Sequence, residues 1–373
     1  MDLWHIPAID QHAENLLAAE AATIAPFRIA CSQNSASTNG DEHSRCSLTY
    51  RRGMRDVAAL LGCEATEEQI AACRADVGFD ELVALWFRAS KVERLFLADS
   101  PVGDPILPLE GHARFVPVRR ILHVEALAED LLGAAATFDD FLERFRGTLD
   151  APPETVVAFK STLALRRGLA VQPPALDAAR SAWENWKQSR QGQEGRPQLI
   201  DPNLLDYLLE PILEIAARHK RPVQISTGPD DSGVNLRAAH PMCLQRLFAE
   251  ARFKEVPFVL LNASYIHARE AAHLAALYPN VYLSLDLAAP LLSTAGMRAS
   301  MRALLELAPT DKLMYSSGAR RLPELYYLAA KWGRTALSEC LDEAVSDADL
   351  TAAEAEGVAE AVLRENAERV YRL

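Results

Sequence analysis

Near the start of the chain, Ile9-Asp10-Gln11-His12-Ala13-Glu14 places a histidine between two acids, each two positions away. An imidazole in that setting suits general-base work, with Asp10 or Glu14 holding its tautomer. The plainer reading of His12 is a hydrogen-bonded histidine in a filled cavity. Glu14 suits pairing with Lys160 or an arginine, as a structural ion pair or as a catalytic carboxylate. Lys160 ends an apolar run, and in a low-dielectric pocket its pKa would fall, which opens imine formation or proton donation. A buried salt bridge to Glu14 or Glu125 is the simpler expectation. His12, Glu14 and Lys160 form the expected catalytic set.

Other polar residues cluster at the ends of apolar runs. Arg166, Arg269 and Arg320 carry guanidinium forks that match a substrate carboxylate, although surface pairing is the usual fate of an arginine. Ser226, Asn262, Ser284, Asp286, Ser316 and Ser317 would form a polar ring that orients a ligand or holds water. His123 and Glu125 fall on one face if both belong to a third strand, and join the pocket if that face points inward. The expected substrate contacts are Arg166, Ser226, Asn262, Asp286, Ser316, Arg320, His123 and Glu125. His267 lies in a later loop or helix, and His240 and His273 read as scaffold.

The elements that must position these residues are short apolar runs alternating with amphipathic stretches. Strands are expected at Ile6 to Asp10, Arg94 to Leu97, Arg119 to Val124, Thr155 to Phe159, Pro222 to Ser226, Val256 to Leu261, Val281 to Leu285 and Lys312 to Tyr315. The later ones end in small polar residues, as chains do on leaving a buried parallel strand. Eight strand–helix units fit an α/β (β/α)8 barrel, whose usual size of about 250 residues leaves a surplus here. Residues 26–92 read as a helical insertion after the first strand, inside a single domain spanning 1–373. Thr66-Glu67-Glu68-Gln69 marks a helix start within it. Ser181 to Arg196 is expected to border the barrel mouth. Asp201-Pro202 starts another helix, and a C-terminal segment opened by the capping box Thr351-Ala352-Ala353-Glu354 is expected only to pack.

Composition narrows the function classes. The 373 residues are 49% hydrophobic and 24% charged, with a net charge of -12, and the pI is about 5.3. That balance argues against nucleic acid as a partner, because phosphate binding needs clustered Lys and Arg. Met1 to Ile9 has neither a basic nor an apolar leader region, and no apolar run approaches the ~18 residues of a membrane span. A cytoplasmic protein is expected. Cys31, Cys46, Cys63, Cys73, Cys243 and Cys340 lack Cys-x-x-Cys spacing and read as reduced thiols, most of them buried. Dinucleotide, Walker-type and Gly-x-Ser-x-Gly motifs are absent from the sequence.

Several segments resemble the amidohydrolase superfamily (amidohydrolase-related family 2) in its FluG-like branch, found in a fungal developmental protein and in plant nodulin/glutamine synthetase fusions. They are Asp10-Gln11-His12, Phe159-Lys160-Ser161 with Arg166 and Gly168-Leu169, Ala263-Ser264-Tyr265 with Arg269-Glu270-Ala271, and Pro323 to Arg334. The resemblance implies a metal-dependent-hydrolase TIM barrel with Asp-x-His-x-His at the first strand, histidines after strands five and six and an aspartate after strand eight. The matching positions here read His12, Glu14, Ser226, Asn262 and Gly318. Lys160 matches a place where relatives carry a metal-bridging carbamylated lysine. Neutral Ser and Asn are poor zinc donors and Gly318 offers none.

The expectation is therefore a degenerate metal site, with no cofactor. Zinc lowers the pKa of bound water from 15.7 to about 7, whereas a positioned base contributes about 10²- to 10⁴-fold. Without it, a biosynthetic hydrolase or lyase acting on a small polar, carboxylate-bearing substrate is expected. One alternative is a non-catalytic barrel binding a metabolite or a partner, such as a glutamine synthetase-like protein or a second copy of itself. The other is a single-metal hydrolase using His12 and Glu14 with help from Lys160.

Overall fold

The computed structural model describes residues 1–19, 21–22, 27, 41–98, 105–172, 175–189, 198–228, 234–286 and 291–373. Its centre is a sheet of eight parallel strands in sequential order. They are β1 (Ala8–Glu14), β2 (Val92–Ala98), β3 (Val118–His123), β4 (Val156–Ser161), β5 (Val223–Ile225), β6 (Phe258–Leu260), β7 (Val281–Ser284) and β8 (Leu313–Met314). Every expected strand is present. The seam between β8 and β1 closes through Gln11 N–H to Tyr315 O (3.4 Å), Gly318 N–H to His12 O (3.0 Å) and Glu14 N–H to Ala319 O (2.8 Å).

Alternation along each strand sorts the core into two shells. Phe96, Ala98, Ile121, Ala158, Val259 and Met314 fill the barrel interior, while Leu95, Leu97, Leu122, Phe159 and Leu260 face the helices. The helices that matter for the site are α1 (Leu48–Leu61), α2 (Glu67–Val77), α3 (Phe79–Ser90), α4 (Val124–Ala134), α5 (Phe138–Asp150), α6 (Leu176–Ser189), α7 (Pro202–His219), α8 (Ala268–Leu277), α9 (Thr294–Leu305), α10 (Pro323–Ser346), α11 (Ala352–Glu360) and α12 (Asn366–Tyr371). Their starts follow sequence chemistry. Thr66 caps α2, Asp201 caps α7 ahead of its Pro202, and Thr351 with Glu354 forms a reciprocal box at α11.

The helices α1 to α3 lie between β1 and β2, as expected for the insertion. They dock on α10 through Trp86 against Tyr327 and Phe87 against Tyr326, with ring centroids 5.3 and 5.1 Å apart. A buried pair, Arg74 to Glu324 at 2.8 Å, ties α2 to the same helix. The expectation that residues 181–189 border the mouth is corrected: they belong to α6, whose Trp183 packs on Phe138 and Phe141 in the outer layer. Residues 190–197 lie outside the described residues. Most cysteines were expected to be buried, yet among the described ones only Cys340 is. No helix among the described residues is long and apolar enough to cross a membrane.

Arg334 in α10 is fully buried at the N-terminal end of the barrel, where it donates to the carbonyls of Leu3, Ile6 and Ser90 at 3.1–3.3 Å. Trp4 covers its guanidinium at 4.9 Å. Removing the donor takes a partner from the Ile6 and Ser90 carbonyls, each worth roughly 1–3 kcal/mol, while Leu3 O keeps Ile6 N–H. Arg334→Met is expected to lower unfolding stability by about 3 kcal/mol in urea denaturation. An unchanged midpoint would show that these carbonyls find other donors.

Candidate active site

β1 breaks register with β2 between Asp10 and Ala13, so the strand turns locally at His12. The imidazole is buried, and its Nδ1 lies 2.9 Å from Gln224 Oε1 on β5. Gln224 Nε2 donates to Gln11 O, Gln11 Oε1 and the Tyr371 hydroxyl at 2.8–3.0 Å, which commits its Oε1 to receiving a proton from His12. His12 therefore carries its proton on Nδ1 and presents a lone pair at Nε2. Tyr371 donates in turn to Gln11 Oε1 at 2.6 Å, and Gln11 Nε2 donates to Ser284 Oγ at 2.6 Å. Ser284 and Ser316 complete the chain at 2.5 Å. The tautomer is thus held by an amide, not by Asp10 or Glu14 as expected. Burial, then the nearby Lys160 charge, push His12 down to about 3, so the ring is neutral near pH 7.

Glu14 and Lys160 face each other with Nζ 3.0 Å from Oε1. Burial opposes the Glu14 charge, but Lys160 and then Arg320 outweigh it and hold the carboxyl down to about 2. Tyr326 in α10 fixes the Glu14 backbone by donating to its carbonyl. The Glu14 carboxylate beside His12 therefore stands against two cationic side chains, Lys160 and Arg320.

Asp286 follows β7 and is buried, with Oδ1 accepting from Ala263 N–H at 3.2 Å and Oδ2 left without a hydrogen-bond partner. Burial raises it to about 6. It abuts Gly318, whose φ is +57°; a Cβ there would come within 3.1 Å of Asp286 Cβ. The same Gly318 donates to His12 O, so the residue following β8 joins both groups. Ser226 Oγ and Asp10 Oδ2 are also buried and unpartnered. These atoms leave hydrogen-bonding capacity that a polar ligand or water would fill. Asn262 turns its amide towards Thr227 O at 3.3 Å.

The strand placement of Glu125 needs correction, and His123 and Arg166 have protein partners. The strand β3 ends at His123, so Glu125 lies in the first turn of α4, where Ser161 Oγ and Thr162 N–H bind its carboxyl. It lines a small cavity among Phe145, Leu205 and Ile212 in the outer layer, away from the mouth. His123 caps α4 through Nδ1 and reaches Thr162 Oγ1 with Nε2 at 3.2 Å. Arg166 is taken up by Glu129 and by Leu199 O. Gln11, Gln224 and Tyr371 were missed by sequence reasoning. The available signal was an amide in the middle of each of two buried strands, since such groups require partners.

The charges beside His12 and Glu14 oppose a divalent metal shared by these two residues. Glu14 is paired with an ammonium and a second cation stands close by, so an ion shared by His12 and Glu14 with Lys160 would meet like charge. Gly318 has no ligand atom and Asp286 fills its flank. Among the described residues, the His/Cys/Asp/Glu trio whose ligand atoms fall within 4.8 Å of one another lies elsewhere, at His240, His267 and Glu270.

Asp10 spans the β1–β8 seam, its Oδ1 accepting from Ser317 N–H at 2.8 Å. Burial raises it to about 7. The folded value lies above the ordinary 3.8, so this group's contribution is fully present at low pH and is lost as pH rises through 7. Asp10→Asn keeps the acceptor and removes the ionisation. Its stability relative to the parent is expected to gain roughly 2–3 kcal/mol between pH 5 and pH 8, read by urea denaturation. A difference that stays flat would contradict that ionisation.

Comparison with known proteins agrees with this architecture. The chain is 30% identical over 403 residues to protein fluG of Emericella nidulans, covering 98% of this chain and 46% of that protein. It thus spans about half the length of that curated relative. A candidate metal-dependent hydrolase from Lactobacillus casei superimposes with a TM-score of 0.86 at 24% identity, covering 98% of this chain and 95% of the other. Uronate isomerase from Thermotoga maritima does so with a TM-score of 0.67 at 16% identity, covering 98% and 94%. The amidohydrolase family model matches residues 128–373. The chain belongs to the amidohydrolase family and is FluG-like.

Proposed function

We propose that this barrel is a metal-independent hydrolase or lyase acting on a small polar molecule that carries a carboxylate. The observation that carries this reading is the Glu14–Lys160 pair with Arg320 beside it and the neutral His12 facing the same mouth. Lys160 and Arg320 place two cationic groups beside Glu14, and a substrate carboxylate would pair with them, with Asp286 and Asp10 as the site's other carboxyls.

The same charge balance governs the base. In the free protein His12 is too weak to hold a proton, because burial and Lys160 both oppose the imidazolium. A substrate carboxylate lodged against Lys160 would offset that charge and raise the basicity of Nε2. His12 would then take a proton from water or from a carbon next to a carboxylate. Asp286, near 6, is suited to return a proton to the departing group. Gln224, Gln11 and Tyr371 act as positioning residues for the imidazole.

A thermal-shift screen of small carboxylates, amino acids and their amides in the presence of chelator would supply the ligand, and turnover of the hits would then be followed. Lys160→Met and Arg320→Gln are expected to abolish the shift. His12→Ala is expected to cost about 10²- to 10⁴-fold in turnover, and Gln224→Leu a smaller part of it. Turnover that survives both His12→Ala and Lys160→Ala, or that needs an added divalent ion, would overturn the proposal. Binding without turnover would favour a non-catalytic barrel instead.

A further inference from the structure

Sequence reasoning treated His240 as scaffold, but it forms a cluster that the mouth does not use. His240 precedes a short 3-10 turn, Pro241–Leu244, in the connection after β5. His267 precedes α8, after β6, and Glu270 lies in the first turn of that helix. The three offer ligand atoms that all fall within 4.8 Å of one another. The imidazole centroids are 4.0 Å apart with planes tilted by 41°, and His240 Nε2 is 4.0 Å from Glu270 Oε1.

The state of His267 points to what the cluster takes. Its Nε2 is buried and has no hydrogen-bond partner. The backbone of Leu236 lies beside the ring. A buried nitrogen without a partner is thus available to the cluster. A hydrogen bond between two neutral rings would have satisfied that nitrogen, and the tilted face contact does not supply one.

We infer that His240, His267 and Glu270 form a binding site for a borderline divalent cation such as zinc or cobalt, separate from the barrel mouth. Two imidazoles and a carboxylate make a known zinc ligand set with a fourth position open. Tetrahedral ligands sit roughly 3.4 Å apart, so the cluster must contract by about 1 Å, which side-chain rotation provides. Glu270 supplies the negative charge that offsets the positive end of α8. His240 Nδ1 now accepts from Met242 N–H at 3.2 Å. Coordination through Nε2 moves the ring proton to Nδ1 and releases that cap of one short turn. A bound ion would tie the connection after β5 to the start of α8, stapling two segments on the C-terminal side of the barrel.

The test uses untagged full-length protein, stripped with chelator and titrated with zinc chloride by calorimetry and with cobalt(II) by visible absorption. The expected result is one equivalent of micromolar or tighter affinity that survives His12→Ala and is lost in both His267→Gln and Glu270→Gln, with unchanged circular dichroism in the variants. Zinc is also expected to raise the melting temperature of the parent and not of His267→Gln. An equivalent that persists in His267→Gln, or no bound metal in the parent at these concentrations, would overturn the site.

Discussion

The ammonium of Lys160, held 3.0 Å from Glu14 inside the barrel mouth, sets the electrostatics of everything around it. It keeps Glu14 ionised against burial, adds to burial in keeping His12 neutral, and stands with Arg320 beside that carboxylate. In a metal-dependent relative, a divalent ion would supply that positive field. In the reading proposed above, side chains supply it, and they bring no Lewis acid to polarise water. The chemistry proposed for the mouth follows from that substitution of charge for metal.

Geometry around the pair is built from distant parts of the chain. Tyr371 in α12 reaches up through the barrel interior to Gln224, 147 residues away in sequence, and thereby sets which nitrogen of His12 bears the proton. The C-terminal helix is therefore more than packing. Gly318 acts in a comparable way on the other side, because its missing side chain makes room for Asp286 while its N–H holds His12 in place. A carboxylate from β7 thus stands beside the position where the resemblance implies one after β8.

Much of the fold was legible because parallel strands buried on both faces must be apolar, and their ends must meet polar loops. Val281 to Ser284 and Val223 to Ser226 show that rule plainly. The error at Glu125 came from carrying a period of two past His123, where the chain had already turned into α4. The direction of Arg166 was illegible for a different reason, since its partners Glu129 and Leu199 belong to elements whose packing no local pattern specifies. Gln11 and Gln224 could have been singled out as amides needing partners. That the partners would be each other and a tyrosine near the last residue is a tertiary fact.

Anomalous diffraction at the zinc edge, from crystals grown with several equivalents of zinc, tests the central claim most directly. No peak is expected within bonding distance of His12 Nε2 or Glu14. A well-occupied peak bridging those two side chains, with Lys160 displaced from its carboxylate, would contradict it.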